Sequence, residues 1–473
     1  MVHRLTNREI SDFLVNWFDS IVAIYSTIIS HEDVLATVVE YKIIRDSVHG
    51  SIKVDGCFLP LASTPELQRL HNIHQLGLAY LVYPGANHTR FEHSLGTFHV
   101  AGRICSSLNL DRIESLMVQA AALLHDIGHL PYSHTFEMVL HEQFGVDHAE
   151  ISRRLIRGED SVLSDEERSI LGKHASVPEA LEAMSLNPKD VAGLLDGQHA
   201  LKQSSRTLEK HESQAHFNTK RYLSQIVSGT VDSDQLDYLV RDAHYTGVAY
   251  GVIDIDRLVE TFDIYNGDLV IDKSGLSAVE GMLVARALMF SSVYYHKTVR
   301  IPELMLAKAV ELLGKDAIDH IHRMTDAGLL AYLESQGGYS REIATCLKYR
   351  KLYKRAYAMA VTDVCDEDWL KIDELGNVGR RRAVEAEIAR RAGIPSGNVI
   401  MDVPSTELPL TEPRISLMDV RILDGKRVRL LPRMSSISSS LQFRRAHDWA
   451  VMVACPEKDK AKVSKAAQKV LGL

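Results

Sequence analysis

Residues 120–137, AAALLHDIGHLPYSHTFE, constrain this chain more than any other stretch: five of the eighteen can bind a metal or move a proton, and they follow a small, apolar helix start. His125 and Asp126 are adjacent and His129 lies four residues beyond His125, a spacing that on a helix sets both imidazoles along one face. Pro131 is expected to end that helix, so that His134 and Glu137 return from a new turn toward the same spot. Imidazoles with carboxylates suit a borderline divalent ion such as Fe, Mn, Zn or Co, and one adjacent His-Asp pair cannot complete such a site alone. The missing ligands have to come from elsewhere.

A His-Asp dipeptide is a weak signal in a chain with 22 histidines, and His447-Asp448, set among Arg444, Arg445 and Trp449 with no second histidine nearby, reads as incidental. Two other stretches supply what the central one lacks. Upstream, YPGANHTRFEHSLGTFHVAGRI leaves a turn and enters a helix with Arg90 and His93 three apart. Downstream, in SGTVDSDQLDYLVRDAHYTGVAYG, Asp234, Tyr238, Arg241 and Asp242 share one polar helix face, while Leu236, Leu239 and Val240 take the other. Polar stripes are usually solvated, but solvated faces seldom combine tyrosine with alternating Asp and Arg, so this one reads as a buried site face.

The length of 473 residues exceeds what one ordinary core needs and predicts a large domain plus a smaller one. With 54 basic against 62 acidic residues the net charge is -8, which argues against a stable nucleic-acid partner held by overall charge. Five scattered cysteines without a CxxC pair indicate neither a disulfide framework nor a thiolate zinc site, which suits a reducing cytoplasm. Residues 13–29 are apolar but interrupted by Asn16, Asp19, Ser20, Ser26 and Thr27, so a packed or interfacial helix is expected and no membrane role.

Along the chain, residues 1–40 read as an N-terminal helical extension. YKIIRD and GSIKV read as strands, with Asp55-Gly56 as a hairpin turn. Helical patterns then dominate to about residue 370, broken by the strand-like DLVIDK and by a charged stretch, 157–220, that reads as a surface insertion. Residues 371–473, with strand candidates NVIMDVP, ISLMDVRIL, KRVRLL and WAVMVACP and a closing helix, are expected to form a small α+β domain.

In order, His93, His125-Asp126 and Asp234 make an H…HD…D pattern that resembles the metal-binding signature of HD-domain phosphohydrolases. The strings RDSVHGSI, PELQRL, HQLGLAYLVYPGANHTRFEHSLG, LLHDIGHLPYSHTFE, DHAEIS and DSDQLDYLVRDAHYTGV are similar to the deoxynucleoside-triphosphate triphosphohydrolase branch, over roughly residues 41–302. The resemblance implies a mainly α fold: a helical HD-domain core at 41–370 with a short β hairpin near its start, followed by the small C-terminal domain.

It further implies hydrolysis of a deoxynucleoside triphosphate to deoxynucleoside and inorganic triphosphate. A divalent ion (Fe, Mn, Mg, Zn or Co) would be held by His93, His125, Asp126 and Asp234. His134 would protonate the departing 5′ oxygen, supported by Glu137 and His148, with His129 on the phosphates. Arg90 and Arg286 would face the triphosphate; Gln75, Leu76 and Asp242 the sugar, with the polar pair at its 3′-hydroxyl; Tyr238 and Tyr294 the sugar and base. Glu137 stands where the family usually has Asp, Gln235 where a vertebrate relative has a phosphate-contacting Lys, and Tyr295 where it has Gln, which leaves base preference open. A homo-oligomer, dimer or tetramer, is implied, with room for a nucleotide effector. In vertebrate members guanine is held by an acidic residue before the TP turn and an arginine in the next helix; here Ser63 and His71 occupy those positions, Gln68 alone matches, and Arg45 replaces Asn. Two other readings of the site are a nucleotidase or phosphodiesterase on another phosphoester, and a nucleotide sensor without turnover.

Overall fold

The computed structural model describes residues 41–132, 147–196, 220–314, 321–404, 420–441 and 447–472. His134, Glu137, residues 1–40 and part of the expected insertion, 197–219, lie outside the described residues.

The described chain is mainly helical and opens on a hairpin. Strands β1 (Tyr41–Asp46) and β2 (Gly50–Asp55) pair antiparallel, with Ile44 opposite Ile52. The hairpin closes earlier than expected, because the Asp46 carboxylate accepts the Val48 and His49 amides at 2.9 and 2.7 Å and Gly50 supplies φ +75°. Asp55-Gly56 instead opens a single 3₁₀ turn, Gly56–Phe58.

Helices α1 (Arg90–Ser107) and α2 (Arg112–Leu124) pack side by side, followed by α3 (His148–Ile156) and α4 (Ser233–Thr246), which crosses α1. Small residues, Ala101 on α1 and Ala120, Ala121 and Ala122 on α2, are fully buried in this core. Residues 157–196 are folded rather than structureless: helices Asp165–Leu171 and Val177–Ala183 each begin with a Ser/Glu capping box, and Val177, Leu181 and Val191 are buried. The signal was present in SDEE and SVPE, Ser followed three residues later by Glu.

Strands β3 (Phe262–Tyr265) and β4 (Asp268–Asp272) form a second hairpin before α5 (Leu276–Met289) and α6 (Lys297–Glu311). The stretch Lys273–Tyr294 is long and apolar enough to cross a membrane, but in this fold Val279, Met282 and Leu283 are fully buried in the core. After α5 the chain widens into a π-turn, Phe290–Tyr294, which carries Val293 and Tyr294 to the wall of the large cavity described below.

The sheets divide differently from the expected boundary at 370/371. Strand β5 (Lys354–Ala360) already belongs to the C-terminal three-stranded sheet, whose order is β5-β9-β6 with β6 at Ile400–Asp402 and β9 at Trp449–Cys455. Strands β7 (Arg421–Asp424) and β8 (Arg427–Leu430) leave that unit, and β7 pairs parallel to β4. A second core, with Ile388, Val399, Val451, Val453 and Val463, sits between the three-stranded sheet and helices α7 (Val378–Ala392) and α8 (Lys460–Leu471). Glu385 of α7 joins the two cores: it is 1% exposed and accepts from Lys308 Nζ on α6 (2.9 Å), Arg382 (2.8 Å) and the Met401 amide on β6 (2.9 Å). Glu385→Ala would leave the buried Lys308 ammonium unpaired and should cost about 3–5 kcal/mol in chemical denaturation. A variant as stable as the parent would count against this joint.

Candidate active site

Helix α1 starts with a full capping box, Thr89 and Glu92 bonding reciprocally, which places Arg90 and His93 in its first turn. The His93 ring is fixed from behind: Nδ1 donates to Asp237 Oδ2 at 2.7 Å, turning Nε2 to within 3.0 Å of Asp234 Oδ1 and 3.7 Å of Asp126 Oδ2. Asp237, fully buried, also accepts from His49 Nε2 (2.7 Å) and from Arg241 Nε and a terminal nitrogen (2.8 and 2.9 Å). Gly96 is required here, since a Cβ would stand 1.8 Å from Asp237 Oδ1 and 2.4 Å from Arg241. Arg241 thus turns away from the cavity to serve Asp237, and only Asp234, Tyr238 and Asp242 of the expected α4 stripe face it.

The second ligand stretch departs from the helix expected there. Helix α2 stops at Leu124, and HDIG is a turn. Ser152 of α3 causes this: its hydroxyl donates to the His125 carbonyl (2.7 Å) and accepts from the Gly128 amide (2.9 Å), taking both groups out of helical pairing. Gly128 fits because a side chain would meet the α3 backbone at 2.3 Å. His125 Nδ1 donates to the Ala122 carbonyl at 2.8 Å, leaving Nε2 buried, 3.2 Å from Asp126 Oδ1 and 3.7 Å from Asp234 Oδ1, without an aligned hydrogen bond.

His93, His125, Asp126 and Asp234 therefore converge through two imidazole nitrogens and two carboxylates, a donor set that fits a divalent ion. The electrostatics agree. Burial would lower the His93 pKa, but Asp234 and Asp237 pull it up to about 10, and His125 is raised against its burial by Asp126 and Asp234. Burial would raise Asp126, yet Arg90, His125 and His129 hold it well below the usual carboxylate range. The cluster favours positive charge at its centre, and a cation can take the place of the imidazolium protons.

A second group of metal-ligand type, Asp126, His129 and His148, adjoins the first. His129 Nε2 lies 3.2 Å from the same Asp126 Oδ1, and its ring stacks on His148 with centroids 3.9 Å apart. Burial, Arg90 and His148 lower the His129 pKa well below the ordinary histidine value. Arg90 itself donates to Asp126 Oδ2.

These groups line a cavity of about 310 Å³ together with Gln75, Leu76, Tyr238, Asp242 and Tyr294. Arg286 is the exception among the described substrate candidates: it is buried behind the wall, donating to Gln235 Oε1 at 3.3 Å and lying over the Phe290 ring. Tyr295, Val299, Arg300 and Glu303 extend the cavity toward the C-terminal unit. Asp237, His49 and Ser152 were missed from sequence. Asp237 could have been found one helical turn from Asp234, on the side facing the glycine of FEHSLG.

A helical fold that brings two histidines and two aspartates together beside a cavity with an arginine has the donor set and the cation that a metal-dependent phosphohydrolase uses. A family model for the HD domain matches residues 90–210, and one for the HD associated region matches 253–473. The chain belongs to the HD-domain phosphohydrolases, in their dNTPase-like branch. It is 32% identical over 424 residues to an uncharacterized protein of Methanocaldococcus jannaschii, the match covering 88% of this chain and 79% of that one. It is 28% identical over 353 residues to the human deoxynucleoside triphosphate triphosphohydrolase SAMHD1, covering 66% of this chain and 54% of that protein; it spans about half the length of several other curated relatives as well. A solved phosphohydrolase from Bacteroides thetaiotaomicron superposes with a TM-score of 0.62 at 26% identity, covering 88% of this chain and 99% of the other.

Because Asp237 orients His93 without facing the cavity, Asp237→Asn should weaken divalent-metal affinity by about 10–100-fold while all four donors remain. Metal retained during a chelator titration of the folded protein is the measurement, and an unchanged affinity would remove Asp237 from this role.

Proposed function

We propose that this protein hydrolyses deoxynucleoside triphosphates to deoxynucleoside and inorganic triphosphate. The supporting observation is that one cavity has His93, His125, Asp126 and Asp234 in its wall together with Gln75, Asp242 and two tyrosines suited to a sugar. A divalent ion held by those four donors, whether Fe, Mn, Mg, Zn or Co, supplies Lewis acidity toward a phosphate oxygen and makes water more acidic.

The chain's own residues do the rest. Arg90, fully buried in the wall, offers a guanidinium to the phosphates, and His129, with its low pKa, adds a neutral contact beside it. Water adds to the α-phosphorus, the bond to the 5′ oxygen breaks, and that oxygen takes a proton. By resemblance the proton comes from His134, with Glu137 and His148 in support. Tyr238 and Tyr294 bound the space beside the sugar, where a 2′-hydroxyl would find no partner. Arg286, bonded to Gln235 behind the wall, stands outside these contacts. A homo-oligomer in the cytoplasm completes the reading; the compartment is read from five scattered cysteines without a CxxC pair.

Incubating purified protein with each deoxynucleoside triphosphate and added Mn or Mg tests the reaction. Inorganic triphosphate is the expected phosphorus product, whereas orthophosphate or pyrophosphate would assign the site to a nucleotidase or phosphodiesterase, and no product would leave a sensor.

Effector control should also differ from that of the vertebrate members. The Ser63 hydroxyl donates to the Leu59 carbonyl (2.8 Å), the His71 ring stacks on Phe91 at 3.7 Å, and Arg45 donates to Ser51 Oγ (2.8 Å). None of these offers the charged acceptor that pairs with the N1 and exocyclic N–H groups of guanine. Hydrolysis of dCTP or dTTP should therefore proceed without GTP. Strict dependence on GTP, with sedimentation detecting assembly only in its presence, would contradict this.

A further inference from the structure

We propose that Glu303 and Arg300, where the cavity meets the C-terminal unit, read the edge of the nucleotide base, and that Glu303 gives the protein a preference for guanine. This deepens the nucleotide reading above and rests on it.

The cavity wall changes character along the chain. Next to Tyr294, whose hydroxyl donates to Asp242 at 2.6 Å, the lining is apolar and aromatic: Phe290, Val293, Tyr295 and Val299. The Phe290 and Tyr295 rings stack with centroids 6.3 Å apart and planes 28° from parallel, a surface suited to a planar ring. Two charged side chains adjoin it. Arg300 and Glu303 lie three apart on α6, both line the cavity, and an Arg300 terminal nitrogen donates to Glu303 Oε2 at 2.9 Å. The Arg300 guanidinium also lies 5.8 Å from the centre of the Tyr295 ring, so the polar pair borders the aromatic surface directly.

The pair is held from the C-terminal sheet. Arg300 Nε and its second terminal nitrogen donate to Asp402 of β6 at 3.4 and 3.0 Å, and Asp402, 2% exposed, also accepts the Trp449 indole of β9 at 3.2 Å. The guanidinium is therefore fixed between two carboxylates, and the wall presents a donor beside an acceptor. Guanine alone of the four bases carries two adjacent donors, N1–H and the exocyclic amine, next to an acceptor, O6. A carboxylate can take both donors as charged hydrogen bonds while a guanidinium N–H faces O6. Adenine in the same pose mismatches twice: its N1 lone pair meets the carboxylate, and its amine meets the guanidinium. Such unpaired groups are how a site built for hydrogen bonding rejects an analogue.

The alternative is that Glu303 only neutralises Arg300. Competition among dGTP, dITP and dATP for the metal-loaded full chain separates the two, with kcat/KM ratios read from the loss of each nucleotide whatever its products. Inosine keeps N1–H and O6 and lacks the exocyclic amine. The parent should prefer dGTP to dATP by at least ~10-fold, with dITP between them, and Glu303→Gln should lose most of that preference. Glu303→Asp, which keeps the carboxylate, should retain part of it, and Arg300 keeps Asp402 as a partner in both variants. A neutralising role would slow all three nucleotides alike and leave the ratios unmoved. Equal use of dGTP and dATP by the parent, or an unchanged ratio in Glu303→Gln, overturns the proposal. Without turnover, equilibrium binding of the same three nucleotides decides by the same ratios, and binding of none overturns the proposal together with the nucleotide reading. The reaction is read separately from the phosphorus product: orthophosphate with a Glu303-dependent ratio sinks the triphosphohydrolase reading and keeps the base contact, and triphosphate with a Glu303-independent ratio does the reverse.

Discussion

The buried carboxylate of Asp237 is the interaction on which the site depends. Removing a carboxylate from water is costly unless donors replace its hydration, and here they arrive from three places: His49 in the turn of the first hairpin, His93 on α1, and Arg241 on its own helix α4. Burial would raise the Asp237 pKa, but Arg241, His49 and His93 keep it well below the ordinary carboxylate value, so it stays an anion and an acceptor. Arg241 reaches on to Asp46, the residue that closes the β1–β2 turn. The hairpin, α1 and α4 are therefore one electrostatic unit, and a strand pair that contributes no lining residue to the cavity still helps decide how the His93 ring points.

The convergence of four possible metal donors was legible because its signals are local: residue type, adjacency and helical spacing around His93, His125-Asp126 and Asp234. The mainly helical class was legible for the same reason. What could not be read was set by partners distant in sequence. The end of α2 at Leu124 is decided by Ser152, a residue on another helix, and nothing in LLHDIGHLP announces it. The retreat of Arg241 from the polar stripe is decided by Asp46 and Asp237. Strand β5 carries a charged start, Lys354-Arg355, and half-exposed residues after it, so its period-2 signal is weak and its pairing with β9 makes it a strand.

The loop between α2 and Pro131 has irregular backbone beside a charged site, and such backbone persists only when its polar groups are held. Arg69, buried, donates to the carbonyls of His129 (2.6 Å), Ile127 (3.4 Å) and Met324 (3.2 Å). Burial lowers its pKa to about 10, with Asp326 and Glu66 opposing, so the guanidinium stays charged at neutral pH. Asp326 accepts the Tyr132 amide (2.7 Å), where the chain adopts φ +57°, and the His74 ring (2.6 Å). The carbonyl side of the loop is held by a cation and its exit by an anion, so His125, Asp126 and His129 keep their directions without a helix to carry them.

The two His-Asp dipeptides of this chain make the same point from opposite sides. His447-Asp448 joins no group of metal-ligand type among the described residues, and the reason lies in its neighbours rather than its own chemistry. His447 packs between Tyr295, at 5.5 Å, and Trp449, at 6.1 Å, while the Trp449 indole donates to Asp402, which also receives Arg300. Tyr295 and Arg300 both line the far end of the cavity. An imidazole that reads as idle in sequence thus backs the wall where the catalytic core meets the C-terminal sheet. At 125–126 the fold delivers a second imidazole and a second carboxylate and makes a metal-type centre; at 447–448 it delivers aromatic rings and makes a support. The dipeptide is equal in both places, and the convergence of distant side chains decides its role.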